Sequence, residues 1–251
     1  MVDLKELEAY CNRLLEVERF RDYCPNGLQV EGRPGVRRLI CGVTASQALI
    51  EAAIEADADA ILVHHGYFWQ GEESRIVGMK QRRLRRLLGH DISLLAYHLP
   101  LDAHPVYGNN AQLAIRLGLS VEGRFGPEQP ELGLYGRPAR PVPAEEFAER
   151  LTQQLGRSPL HIAGGGDTIA SLAWCSGAAQ GYIEQAAALG VDAYLTGEAS
   201  EQTVHVAREC GLHFFAAGHH ATERDGVRAL GEHLGREFGL EQHFVDVPNP
   251  V

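Results

Sequence analysis

Apolar positions along this chain recur with two periods, and the changes from one to the other outline its elements. Leu4, Leu7, Tyr10, Cys11, Leu14 and Leu15 fall three or four apart, the spacing of one helix face, and Asp3 stands where a helix start needs a side-chain acceptor. The turn-forming run Asp22-Tyr23-Cys24-Pro25-Asn26-Gly27 ends that segment. Leu28-Gln29-Val30 reads as a short strand, residues 32–35 as a loop, and residues 38–44 as a clearer strand. A helix over about 46–56 follows, and then the apolar run Ala60-Ile61-Leu62-Val63, closed by His64-His65-Gly66. Strand, helix, strand in this order predicts a parallel sheet with right-handed crossovers.

The pattern continues with a helix over 79–88 carrying Arg82, Arg83, Arg85 and Arg86, read as a solvated face, and a strand over 92–98. Leu99, Pro100, Leu101, Asp102 and His104 lie past the end of that strand, and Gly108-Asn109-Asn110 starts a helix that runs to about Leu117. Residues 123–143 are rich in glycine, proline and charge, with one strand expected at 132–137. They suggest a boundary between an N-terminal lobe, 1–124, and a C-terminal lobe, 125–251.

The second half repeats the first. After a helix over 144–155, Cys175-Ser176-Gly177, a helix through Glu184 to Leu189 and a strand over 191–196 parallel residues 41–63. Adding 133 to the residue number lays Asp59-Ala60 on Asp192-Ala193 and His64-His65 on Gly197-Glu198. A helix over 200–210, a strand over 212–218 and a helix over 221–234 complete the repeat. The fold class expected is α/β, as two similar lobes facing a shared cleft. The run Gly164-Gly165-Gly166-Asp167 leads to a strand and lacks the spacing of a phosphate-binding loop, so it reads as a tight turn.

Composition narrows the function. With 23 Lys and Arg against 33 Asp and Glu, the formal net charge of −10 disfavours nucleic acid and anionic membrane as partners. The five cysteines, Cys11, Cys24, Cys41, Cys175 and Cys210, contain no C-x-x-C pair. They suggest neither a disulfide framework nor a zinc ribbon, and the compartment expected is reducing. The charged N-terminal segment differs from a signal peptide and no apolar run spans a membrane, so the expected location is cytoplasmic. A G-x-S-x-G elbow and a P-loop are both absent.

The remaining candidates are histidines and carboxylates at strand ends, where ligand sites of α/β sheets lie. Neighbours on a regular strand point to opposite faces, but at a strand's last residue the turning chain lets His64 and His65 face one crevice. The alternative is one exposed histidine and one hydrogen-bonded core histidine. His219 and Glu223 are four apart, so a helix beginning near His219 puts them on one face. With His64, His65 and Asp102 they make a candidate five-ligand set of nitrogen and oxygen donors, suited to zinc, manganese, iron, cobalt or nickel.

The motifs Asn26-Gly27-Leu28-Gln29-Val30-Glu31-Gly32, Val63-His64-His65-Gly66, Tyr97-His98-Leu99-Pro100-Leu101-Asp102, Thr196-Gly197-Glu198, Ala217-Gly218-His219-His220-Ala221-Thr222-Glu223 and Val247-Pro248-Asn249-Pro250 appear in order along the whole chain. In them the sequence resembles the Nif-three-like group that includes the bacterial YbgI proteins, often labelled homologues of a type two GTP cyclohydrolase I. The resemblance implies a two-lobed subunit, two divalent metal ions per chain and a toroidal homohexamer, a trimer of dimers. It places the metal ligands on His64, His65, Asp102, His219 and Glu223. Some relatives carry an extra domain between the lobes, for which this chain is too short.

Two divalent ions bring four positive charges, of which Asp102 and Glu223 cancel two, favouring a small anionic substrate. Such ions lower the pKa of a bound water towards neutrality. His98, His104, His220 and Glu198 are candidates for orienting ligands or moving protons, with His98 and Glu198 the catalytic pair. The function expected is metal-dependent hydrolysis of a nucleotide-like or phosphate-bearing compound, GTP ring opening being the version the label names. The alternative is a metal-binding toroidal scaffold without dedicated catalysis.

Overall fold

The Asp3 carboxylate accepts from the backbone N–H groups of Lys5 (2.9 Å) and Glu6 (3.2 Å), capping helix α1 (Leu4–Leu14) where the sequence places its start. The computed structural model describes residues 1–251. It continues through β1 (Gly27–Val30), β2 (Arg38–Thr44), α2 (Gln47–Glu55), β3 (Ala60–His65), α3 (Gly78–Gly89) and β4 (Ser93–Ala96). Helices α4 (Leu99–Ala103) and α5 (Asn109–Leu117), strands β5 (Leu119–Phe125) and β6 (Gly133–Pro138), α6 (Ala144–Leu155), β7 (Leu160–Ile162) and β8 (Leu172–Trp174) follow. The last elements are α7 (Ile183–Ala188), β9 (Ala193–Thr196), α8 (Glu201–Glu209), β10 (His213–Ala216), α9 (His219–Phe238) and β11 (Glu241–Phe244). This is an α/β protein, and no helix is long and apolar enough to cross a membrane.

The chain divides into two compact units, Met1–Leu101 with Gly226–Pro248 and Asp102–Asp225 with Asn249–Val251. It passes from one to the other inside α4, inside α9 and again between Pro248 and Asn249. Residues 123–143 therefore lie within the second unit. Their glycines, and their prolines up to Pro138, belong to the antiparallel hairpin β5–β6, which pairs Leu119 with Pro138 and Phe125 with Gly133, and to its loop. Turn chemistry at a sheet edge reads in sequence much like a linker.

In the first unit the sheet order is β11-β2-β3-β4-β1. Strands β2, β3 and β4 run parallel, in a register that aligns Ile40 with Ile61 and Ile61 with Leu94. Strand β1 is antiparallel to β4, and β11 returns from the far end of the sequence to lie parallel beside β2. Ile40, Leu49, Ile61, Leu84, Leu87 and Leu94 are among the residues of one buried cluster, each such side chain stabilising the fold by about 1.5–3 kcal/mol.

In the second unit the order is β7-β10-β9-β8-β6-β5. Here β8, β9 and β10 are parallel and the flanking strands antiparallel. Phe147, Trp174, Leu195 and Phe215 are buried together, and the Trp174 indole donates to the Asn110 carbonyl at 3.0 Å.

One device recurs at the 133-residue offset. Asp59, just before β3, accepts the N–H groups of Arg37 (2.8 Å) and Arg38 (2.9 Å) on one oxygen. Asp192, just before β9, likewise accepts the N–H groups of Ala170 (2.8 Å) and Ser171 (2.9 Å). Each aspartate also donates its own N–H to the neighbouring strand, to the Arg38 carbonyl at 3.0 Å and the Ser171 carbonyl at 3.1 Å. The carboxylates tie the starts of adjacent parallel strands, where the β ladder leaves donors unpaired.

Asp59→Ala and Asp192→Ala should each lower the unfolding free energy by about 1–2 kcal/mol, since each removes a charged acceptor from two half-buried hydrogen bonds. Urea denaturation measures this, and losses below about 0.5 kcal/mol would show that the carboxylates do not hold the sheets. Burial opposes the Asp59 charge, but the Arg38 and Arg37 N–H groups and the Arg33 guanidinium outweigh it and lower its pKa. Its contribution is therefore present above the ordinary carboxylate range and lost as pH falls through the lowered value. The gap between the wild-type protein and Asp59→Ala should narrow in acid.

Candidate metal centre

Strand β3 ends in His64 and His65, the first fully buried and the second half-buried. Their ring centroids are 4.5 Å apart, so the strand end does bring both imidazoles together. His64 Nδ1 donates to the Tyr97 carbonyl at 2.9 Å, and His65 Nδ1 shares a hydrogen bond with Thr44 Oγ1 at 3.2 Å. The next residue has to be glycine, because a Cβ at Gly66 would stand 2.2 Å from Gln29 Oε1 and 2.7 Å from Ala96 Cβ. Gln29 Oε1 accepts the Tyr67 N–H at 2.7 Å, turning the chain away from the histidines.

His98, just past β4, belongs to the same cluster. Its ring lies 5.0 Å from that of His64 and 5.7 Å from that of His65, and a ring nitrogen of each of the three lies within 4.8 Å of the others. Asp22 Oδ1 accepts from His98 Nδ1 at 2.7 Å. Sequence reasoning took Asp22 only as part of a helix-ending turn. A carboxylate that pairs with a histidine 76 residues away leaves no local pattern.

In the second unit, α9 begins at His219, two residues before the start expected from the sequence at 221, which puts His219 and Glu223 on one face with His219 Nε2 3.1 Å from Glu223 Oε2. His219 Nδ1 donates to Glu198 Oε1 at 2.6 Å. Glu223 is buried, as is Asp102, and the two offer carboxylate oxygens within 4.8 Å of each other. Asp102 Oδ1 accepts from Asn109 Nδ2 (2.8 Å) and Ser176 Oγ (3.3 Å), two residues with no site role in the sequence reading. Gly177, at φ +68°, makes room for the group, since a Cβ there would stand 2.1 Å from Glu223 Oε1.

Two further candidates, His104 and His220, have partners among nearby backbone groups. His104 Nδ1 accepts the N–H groups of Val106 and Tyr107, and its ring stacks on Tyr107 at 5.1 Å, closing its own loop. His220 is buried, and its N–H donates to the Val251 carbonyl at 3.0 Å. Among the α3 arginines, Arg86 pairs with Glu51 and Arg83 lies over the Tyr67 ring at 6.0 Å. Cys11, Cys24, Cys41 and Cys175 are buried, and burial pushes the thiols of the first three up to about 12, in keeping with small core side chains.

This donor set suits a divalent cation. An imidazole offers a nitrogen lone pair when its other nitrogen holds the proton in a hydrogen bond, and metal-binding histidines commonly donate that N–H to a carbonyl or carboxylate. In His64 and His219 Nδ1 donates to an oxygen, so Nε2 is the atom turned to a cation, and without one His219 Nε2 pairs with Glu223 Oε2. Buried carboxylates add oxygen donors and negative charge. Without a cation, His219 lies between two carboxylates. Burial disfavours its charged form, but the hydrogen bond and charge of Glu223, then of Glu198, prevail and raise its pKa to about 9.

Comparison with known proteins gives a consistent set of relatives. A family model described as Duf34/NIF3 (NGG1p interacting factor 3) matches residues 2–250. A Pseudomonas aeruginosa protein named GTP cyclohydrolase 1 type 2 homolog is 60% identical over 251 residues, covering 100% of this chain and 99% of its own length. Among solved structures, one described as protein ybgI, of unknown function, matches with a TM-score of 0.96 at 51% identity, each chain covered fully. The crystal structure of a Thermus thermophilus protein, TTHA1606, matches with a TM-score of 0.91 at 36% identity, again over the whole of both chains.

The raised pKa of His219 fixes a sign. Its ion pairs stabilise the metal-free protein fully below the ordinary histidine value of 6.5, and this contribution is lost as pH rises through about 9. The melting temperature of metal-free protein should therefore fall between pH 6.5 and about 9 by more than that of His219→Gln. Equal slopes would show that His219 is not held as a cation.

Proposed function

The chain belongs to the Duf34/NIF3 family, and from that premise we propose that it is a dinuclear metal-dependent hydrolase acting on a nucleotide-like or phosphate-bearing substrate. The ligands are His64, His65, Asp102, His219 and Glu223. The observation that carries this reading is the shared state of His64 and His219. Each donates Nδ1–H to a fixed oxygen, the Tyr97 carbonyl or Glu198, so that each offers Nε2 in a set orientation. An ordinary polar surface has no need to fix its imidazoles in this way.

When bound, divalent ions supply Lewis-acid polarisation and a water acidified towards neutral pH. The residues around them hold the ligands. Glu198 accepts the Nδ1 proton of His219, which suits it to orienting that ring more than to transferring protons during turnover. Asn109 and Ser176 donate to one oxygen of Asp102, directing the carboxylate's remaining lone pairs. The acidic ligands offset part of the metal charge, and the remainder favours an anionic substrate. GTP is the specific substrate proposed, with water attacking C8 of the guanine ring, in line with the name of the Pseudomonas aeruginosa relative.

The assembly proposed is a homohexamer. It is supported by the resemblance noted in the sequence and by the apolar side chains Ile76, Val77, Met79 and Leu88, which lie exposed on α3 and the segment leading into it.

Protein loaded with zinc or manganese should convert GTP to a ring-opened or dephosphorylated product seen by mass spectrometry, and Glu223→Ala carried through the same preparation should lose that product. No product from wild-type protein shown to hold two ions per chain would exclude GTP as substrate. It would favour another substrate or a metal-binding scaffold.

A further inference from the structure

Asp22 is a buried carboxylate whose acceptor positions are all taken up in holding one other residue and the turn beside it. Its side chain is 3% exposed. Oδ1 accepts from His98 Nδ1 at 2.7 Å and from the Tyr23 N–H at 2.6 Å. Oδ2 accepts the Leu99 N–H and Asn26 Nδ2, both at 2.9 Å. Asn26 Oδ1 in turn accepts the His98 N–H at 2.7 Å. One turn of chain thus holds both the backbone and the ring of His98, with the Trp69 ring edge-on at 5.0 Å as a further wall.

This bond settles which nitrogen of His98 is available. A carboxylate can only accept, so Nδ1 carries a proton, and in the neutral ring Nε2 keeps its lone pair. His64 is in the same tautomer, because its Nδ1 donates to a carbonyl. Two imidazoles fixed alike, with a ring nitrogen of each within 4.8 Å of the other and of His65, form a convergent set of nitrogen donors inside a single unit. Core histidines placed for packing alone would not need the same proton on each.

We propose that His98 is a further nitrogen donor to a divalent cation at the end of β3, beside His64 and His65, and that Asp22 is the positioning residue that directs it there. This rests on the reading of the site as one for divalent ions, and it adds a donor outside the five-residue set. The arrangement of carboxylate, histidine and metal is a general one, in which the outer carboxylate fixes the tautomer and raises the basicity of the ligand.

The test uses full-length protein labelled with ¹⁵N-histidine and stripped of metal. Long-range proton–nitrogen spectra should show His98 protonated at Nδ1 and bare at Nε2. Adding zinc should shift the Nε2 signals of His64, His65 and His98 together. Asp22→Asn should lose the single tautomer of His98 and bind zinc roughly ten- to hundredfold more weakly in competition with a chelator, and Asp22→Glu should recover part of that loss. His98→Gln, which leaves the Asp22 turn its backbone partners, should weaken zinc to a similar degree.

A His98 signal unmoved by zinc while His64 and His65 shift would overturn the proposal and leave the five-residue site intact. So would zinc binding by folded His98→Gln within about twofold of wild type, given the loss expected when a ligand's support is removed. Zinc moving none of the three would remove the metal reading along with the proposal.

Discussion

A histidine has two nitrogens and, when neutral, one proton, so what one nitrogen is bonded to decides what the other can do. In this protein that rule shapes the chain around each candidate ligand. The Tyr97 carbonyl is available to His64 because the backbone past β4 lies beside the end of β3, where the Tyr97 N–H also donates to the Val63 carbonyl at 3.0 Å. Glu198 meets His219 where β9 ends beside the start of α9, and the Ala217 N–H donates to the Thr196 carbonyl at 2.8 Å. Parallel strands in register bring these acceptors to the histidines. The ladder that stabilises each sheet therefore also sets the proton positions at its end.

Much of this was legible in the sequence because it is local. The apolar run from Ala60 to Val63 pointed to a strand, and two histidines at its end marked a place where ligands gather. The four-residue interval from His219 to Glu223 marked a shared face on condition that the helix begin near His219, and α9, expected from 221, does begin at His219. Asp59 and Asp192 align at a constant offset, and both cap the start of the strand before their own.

What the sequence concealed depends on long-range partners or on context. Asp22 sits in a turn whose residues explain themselves, so nothing in the pattern marks it as the acceptor for His98. Asn109 and Ser176 read as a helix start and a strand end, and only folding brings them to Asp102. The stretch over 123–143 has the composition of a linker, yet it pairs with itself as an edge hairpin, because glycine and proline mark the corners of a sheet as readily as its absence. Strand β11 has three polar side chains before Phe244, too short and too polar a run to mark a strand in the sequence. It takes its place from β2, whose edge accepts it in parallel.

That last strand has a consequence for how the molecule comes into being. The sheet of the first unit closes with residues 241–244, although its other four strands are all complete by residue 96. On a ribosome adding about 5–20 residues per second, β2 would remain an open edge for on the order of ten seconds, with Ile40 and Cys41 already arranged to receive a partner. During that interval the nascent chain presents a template that any extended segment could join, its own or a neighbour's. The polar character of β11 fits this delay. A strand that is made last and pairs at an edge gains specificity from register and from the Arg38–Glu241 ion pair (2.8 Å), with Phe244 its one apolar side chain to seed association before its place is ready.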